Sequence, residues 1–133
     1  MAPVEHLNPE GMHHNPAFSQ AVVVSGPSRT VYVGGQNAVD AAGHIVGEDI
    51  ETQTRQAFAN LKQVLGAAGG GIEHVVKWTI YIVAGQPLAP GFAVFQQEWG
   101  TRPNPPAITG LFVSALANPA FLVEIDAVAV IPE

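Results

Sequence analysis

Residues 121–130 read Phe-Leu-Val-Glu-Ile-Asp-Ala-Val-Ala-Val, and no other stretch restricts the fold of this chain so strongly. Apart from Glu124 and Asp126 the run is apolar, which predicts a buried strand. A strand alternates faces with a period of two. Phe121, Val123, Ile125, Ala127 and Ala129 therefore share one side, and Leu122, Glu124, Asp126, Val128 and Val130 the other. An unpaired carboxylate in such surroundings costs several kcal/mol. A chain keeps one there for a partner across an interface, an exposed sheet edge, or ligand binding and chemistry.

The chain has 133 residues, which predicts one domain over 1–133 with room for a single core. It has no long apolar run, so no membrane span is expected, and its first residues lack the pattern of a secretory signal. Cysteine is absent, which excludes disulfides, thiolate ligands and a cysteine nucleophile and leaves the cytoplasm as the default location. Charged residues make up only 12% of the chain against about 25% in an ordinary soluble domain, while the hydrophobic share is 47%. So little charge predicts that part of the surface is hidden in a partner, most simply further copies of the same chain. A net charge of −6, with the few lysines and arginines scattered singly, argues against nucleic acid as a partner.

Two β-rich runs, 21–25 and 30–34, flank Gly26-Pro27-Ser28 and predict a hairpin. Gly34-Gly35 then interrupts the second run, the usual mark of a bulge or a close backbone approach. After a turn at 41–43, residues 44–46 form a short third extended piece. Asp49 to Gly66 is the best helix, with Asp49 as N-cap, apolar residues at helical spacing, and Gly69-Gly70-Gly71 as terminator. A strand is predicted over 74–83, with Val76, Trp78, Ile80 and Ile82 on one face. A second helix is predicted over 90–99, where Phe92, Phe95 and Trp99 form a stripe expected to pack in the core. Proline-rich 102–106 is a rigid connector. Strands over 107–116 and 121–130, joined by a short turn, are expected to be an antiparallel pair. The order β-β-(β)-α-β-α-β-β predicts an α+β mixed sheet with both helices on one face and the other face uncovered.

The histidines at 6, 13, 14, 44 and 74 form no ligand pair on one element, so no metal site is expected. The glycine clusters do not fit a phosphate fingerprint, and Ser19, Ser25, Ser28 and Ser114 show no nucleophile motif or paired histidine. What remains is a convergence. Gly34-Gly35-Gln36 exposes backbone groups, Ile108, Gly110 and Phe112 share a strand face, and Glu124 supplies one carboxyl, together suggesting a small, sparsely charged pocket.

These residues resemble the Rid family, also called the YjgF family, whose best-known members are enamine/imine deaminases. The likeness runs through 15–22 (Asn-Pro-Ala-Phe-Ser-Gln-Ala-Val), 31–36 (Val-Tyr-Val-Gly-Gly-Gln), Asp40 with Gly43, and Gln53 with 56–61 (Gln-Ala-Phe-Ala-Asn-Leu). It continues through 75–81 (Val-Val-Lys-Trp-Thr-Ile-Tyr), Pro106-Ala107 and 122–129 (Leu-Val-Glu-Ile-Asp-Ala-Val-Ala). The resemblance implies a chorismate-mutase-like (YjgF-type) fold and a homotrimer with an inner barrel and ligand clefts between subunits. No cofactor is expected. It assigns Glu124 as the group handling the water that attacks an imine carbon. Phe18, Gly35, Gln36, Phe92, Ile108 and Gly110 are the expected substrate-binding residues. The chain departs from the family pattern at the substrate-binding arginine, which is Ile108 here. Gly110 stands where cysteine is common, Phe18 replaces a tyrosine, and Phe92 replaces an asparagine. Losing a charge-assisted contact removes about 1.5–3 kcal/mol of binding. The expected ligand is therefore a small neutral or hydrophobic imine, enamine or related compound. The alternatives are a non-catalytic ligand-binding or chaperone-like trimer, and a specialised isomerase or cyclase.

Overall fold

The computed structural model describes residues 4–133. Its strands are β1 (Val4–Leu7), β2 (Ala21–Val24), β3 (Ser28–Gln36), β4 (Val75–Val83), β5 (Ala107–Val113) and β6 (Val123–Pro132). The helices are α1 (Ile50–Ala67) and α2 (Leu88–Trp99), with a single 3₁₀ turn at Ile72–His74. Four strands form a mixed sheet in the order β3-β6-β4-β5, with β6 antiparallel to both β3 and β4, and β4 parallel to β5. Both helices pack on one face, as expected of an α+β layer.

Helix α1 begins and ends as its sequence predicts. Asp49 Oδ1 accepts the Thr52 amide at 2.7 Å, closing the N-terminus. At the other end Gly69 has φ 86°, and the amides of Gly69 and Gly70 donate to Gly66 O and Leu65 O at 3.0 and 2.9 Å. That pattern satisfies two carbonyls the helix would leave orphaned. Helix α2 starts two residues earlier than predicted, because Pro90 falls in the first turn, where no amide hydrogen is needed. Gly91 lets the helices approach, since a Cβ there would sit 3.4 Å from Ile50 Cγ1 and Thr54 Oγ1.

The core lies between the sheet and the helices. Phe58, Leu61 and Leu65 of α1 meet Trp78 and Ile80 of β4 and Ile125, Ala127 and Ala129 of β6. The Trp78 ring packs edge-on against Phe58, Phe95 and Trp99 at centroid distances of 5.6, 5.3 and 5.9 Å. The alternation of β6 is as predicted: Val123, Ile125, Ala127 and Ala129 are buried, and Glu124, Asp126 and Val128 are half-buried on the far face. No helix among the described residues is long and apolar enough to cross a membrane.

Three pairings differ from expectation. The run at 21–24 pairs with β1, not with β3, whose partner is β6. The two closing strands are not neighbours, because β4 lies between them. Residues 44–46 make only an isolated bridge, Ile45 to Val39. The second difference has a topological cause. A helix between strands is a crossover, so β3-α1-β4 and β4-α2-β5 run parallel, and β6 then fills the gap between β3 and β4 in the opposite sense.

Candidate active site

The residues expected to bind substrate fall into two separate groups. Ile108, Gly110 and Phe112 of β5 pair in parallel register with Trp78, Ile80 and Ile82 of β4, which places them on the helix-bearing face. There they line a cavity of about 320 Å³ together with Phe18, Phe92, Leu88 and Asn15. An adjoining hollow of about 410 Å³ shares Asn15, Ala17, Phe92 and Ile108 and extends to Trp99 and Gln96. Among the described residues, no charged side chain borders either hollow. The aromatic stripe of α2 is divided: Phe95 is buried, whereas Phe92 is partly exposed and forms cavity wall, so its packing role is only partial.

Glu124 belongs to the other group. It stands across from Tyr81 in the β4–β6 register, on the face without helices. The β3 register slips between Val33 and Gln36, which is the bulge the glycine pair predicts. The bulge brings Gly35 against the carboxyl so closely that an added Cβ would overlap Oε2 and lie 2.6 Å from Cδ. Just beyond it Asn37 Nδ2 donates to Glu124 Oε1 and to Val123 O, both at 3.2 Å. The expectation of one pocket holding Ile108, Gly110 and Glu124 within a single chain is thus corrected. The sheet separates them, because β5 and β6 present these side chains to opposite faces.

Gln36 also departs from expectation. It registers with Ile125 and so leaves the sheet on the helix side, where its Nε2 donates to Gly34 O at 3.1 Å and its side chain borders a shallow hollow beside Asn60 and Val64. Asp126 is already engaged by the Tyr81 hydroxyl at 3.0 Å. That bond, followed by the Asp126 charge, raises the Tyr81 pKa above its ordinary 10.0. Arg102 caps α2, donating to Glu98 O and Trp99 O at 3.0 and 2.9 Å. The ion pairs of the described residues join His44 with Asp40, Arg55 with Glu51, Lys62 with Glu98 and His74 with Glu73, so Glu124 has no cation against it within one copy.

One serine does have a histidine beside it, contrary to expectation. His6 Nδ1 lies 3.0 Å from Ser19 Oγ. The Ser19 proton is committed to Pro105 O at 2.5 Å, so His6 is the donor in this pair, the reverse of what activates a nucleophile. Ser19 is also buried, and the pair serves to tie β1 to the segment before β5. No group of three His, Asp or Glu among the described residues could hold a metal ion.

Comparison with known proteins settles the family. The endoribonuclease L-PSP family profile matches residues 12–131. This chain belongs to that family. A RutC family protein of Pyrococcus horikoshii is 34% identical over 113 residues, covering 84% of this chain and 85% of the relative. The human 2-iminobutanoate/2-iminopropanoate deaminase is 32% identical over 114 residues, covering 85% and 79%. A Rid family protein of Yersinia pestis, of unknown function, superposes with a TM-score of 0.84 at 35% identity, covering 96% of this chain and 98% of its own. The Rid resemblance and the α+β fold read from the sequence are therefore borne out. Sequence reasoning missed Asn37, and it noted Gln53 only as part of the family likeness. The Gln53 amide, 1% exposed, joins α1 to the segments before and after it in space: Nε2 donates to Gly47 O and Ala120 O, and Oε1 accepts the Leu122 amide. Only tertiary structure reveals either role, for Asn37 bonds Val123 and Glu124, and Gln53 bonds Ala120 and Leu122, all far away in the chain.

Proposed function

We propose that this L-PSP family member is a homotrimer whose cleft joins the apolar cavity of one copy to Glu124 of the next, and that this cleft hydrolyses a small neutral or hydrophobic imine or enamine. One observation carries the reading. Glu124 and the Ile108 cavity lie on opposite faces of one sheet, with β4 between their strands, so a ligand touches both only where two copies meet. The uncovered face supports assembly, since Tyr32 there is 80% exposed and the chain has few charges to hydrate it. The cavity is at the small end of ligand sites, which run from about 300 to 1,000 Å³.

In this scheme Glu124 first gives a proton to the enamine carbon, producing the iminium ion. A water then adds to the iminium carbon as the Glu124 carboxylate takes one of its protons, which restores the acid. Collapse of the neutral carbinolamine passes its hydroxyl proton to nitrogen, breaks the C–N bond and releases ammonia and the carbonyl compound. Ile108 would exclude carboxylate-bearing substrates, because a buried carboxylate beside it would have no partner. The net charge of −6 weighs against transferring a nuclease role from the family's descriptive name.

The test is to generate neutral imines in situ from isoamylamine and phenethylamine with an amine oxidase, and carboxylate-bearing ones from leucine and glutamate with amino-acid oxidases, and follow their decay. Hydrolysis of the first two, abolished in Glu124→Gln, supports the proposal. Equal rates for wild type and Glu124→Gln would remove Glu124 from the mechanism. A second reading, a trimer that holds a ligand without transforming it, is favoured by the absence of any charged cavity-lining side chain. It predicts saturable binding of apolar probes with no hydrolysis by wild type.

A further inference from the structure

The carboxyl of Glu124 is held by a residue the proposed reaction does not itself require. Asn37 Nδ2 carries two hydrogens and faces two oxygens, Val123 O and Glu124 Oε1, each at 3.2 Å. A carbonyl oxygen and a carboxylate only accept, so the amide has one allowed orientation; the flipped form would set Oδ1 against both. The backbone bearing Asn37 is pinned in turn from α1. Asn60 Nδ2 donates to Asn37 O and Val39 O, both at 2.9 Å, and Asn60 Oδ1 accepts from Gln56 Nε2 at 2.9 Å. On the opposite side of the carboxyl, Gly35 leaves no side chain over Oε2.

We propose that Asn37 is the positioning residue for Glu124: it tethers Oε1 through a neutral donor and leaves Oε2 as the oxygen that exchanges protons with the ligand. The inference rests on the reading of Glu124 as acid/base and adds which oxygen works and what aims it. A neutral amide suits that task. It supplies direction without placing a cation beside a group that must take up a proton, whereas an arginine in the same place would favour the charged form alone. The support from Gln56 and Asn60 makes the donor part of the α1–β3 framework, so orientation is set before a ligand arrives.

Two measurements test this. In kinetics on the neutral isoamylamine-derived imine, Asn37→Leu removes the donor while keeping the branched shape of the side chain. It is expected to lower kcat about tenfold or more with KM little changed, as loss of aim rather than of binding requires. In amide spectra, the Asn37 side-chain signal is expected to move upfield in Glu124→Ala while that of Asn60 stays in place. Wild-type kcat in Asn37→Leu or an unmoved Asn37 signal would each overturn the proposal. If wild type hydrolyses no imine, the reading of Glu124 as acid/base is what fails. Asn37's hold on the carboxyl is then judged by the amide signal alone. That signal is measured with Asn37 intact, so it also decides the matter should Asn37→Leu not fold.

Discussion

Replacing Gln53 with leucine probes the link between helix α1 and the strand that carries Glu124. Gln53 is 1% exposed, and its amide makes bonds of 3.1 Å to Gly47 O, 2.9 Å to Ala120 O and 2.8 Å from the Leu122 amide. Leucine fills most of the same volume, so the loss comes chiefly from hydrogen bonds. At about 0.5–1.5 kcal/mol net for each bond, the variant is expected to lose about 2–4 kcal/mol. The lower half of that range is favoured because Gly47, Ala120 and Leu122 are not themselves fully buried and can recruit water. Urea unfolding followed by the fluorescence of Trp78 and Trp99 reads it directly, at fixed protein concentration because assembly would shift the midpoint. With a slope of about 2 kcal/mol per molar urea, the midpoint falls by about 1–2 M. Gln53→Glu is the sharper comparison: it keeps an acceptor for Leu122 but turns a carboxylate oxygen toward two carbonyls, so it is expected to fall at least as far. A loss below about 1 kcal/mol for leucine, or a glutamate variant as stable as wild type, would refute the view that this amide clamps the start of β6.

Gly35→Ala is expected to leave the unfolding midpoint nearly unchanged, since its backbone is not left-handed and the new methyl meets only the movable end of Glu124. It should abolish imine hydrolysis as fully as Glu124→Gln, and a wild-type rate would mean the carboxyl works from another orientation. Ile108→Arg is expected to shift preference from the neutral isoamylamine-derived imine toward the carboxylate-bearing leucine-derived imine, read as a reversal in relative kcat/KM; no change would take Ile108 out of the binding wall. Bonds from the Thr52 amide and hydroxyl hold the Asp49 carboxyl below its ordinary 3.8. Its folded-state pKa is depressed, so its contribution is complete above about 3.8 and lost as the pH falls through the folded value. Asp49→Asn, which caps without charge, should therefore show a smaller drop in urea midpoint between about pH 6 and about pH 3, and an equal drop would rule this out. The Tyr81 hydroxyl bonds Asp126 and titrates above 10.0, so that contact is intact below about 10 and is lost as the pH rises further. Tyr81→Phe should remove the latest step of the alkaline absorbance titration at about 295 nm, and persistence of that step would assign it to another group.

Much of the architecture was legible because it is written in local signals. The Asp49 cap, the Gly69 terminator, the β6 alternation and the Gly34-Gly35 interruption each depend on neighbouring residues and a fixed backbone geometry. Strand order was not legible, since nothing in Ala107–Val113 or Val123–Pro132 says which of them borders β4. The preference for pairing sequential strands pointed the wrong way, although the helix between β4 and β5 already implied a parallel pair. The candidate site was legible in composition more than in geometry. Phe18, Phe92, Ile108 and Gly110 do come together, and Gly35 does meet Glu124. Gln36 leaves on the helix side because the bulge resets its parity, and a slip of one residue reverses the face of every side chain beyond it.

The position of β6 also bears on how the molecule is made. It is the last of the described strands to leave the ribosome, yet it is the one that bonds β3 to β4. Until it arrives, β3 has no neighbour in the sheet, and β4 shows an open edge rich in valine and isoleucine. Closure of the core must therefore wait for contacts spanning about a hundred residues, such as Ser28 with Pro132, which slows folding relative to a helical bundle and leaves nascent copies vulnerable to pairing with one another.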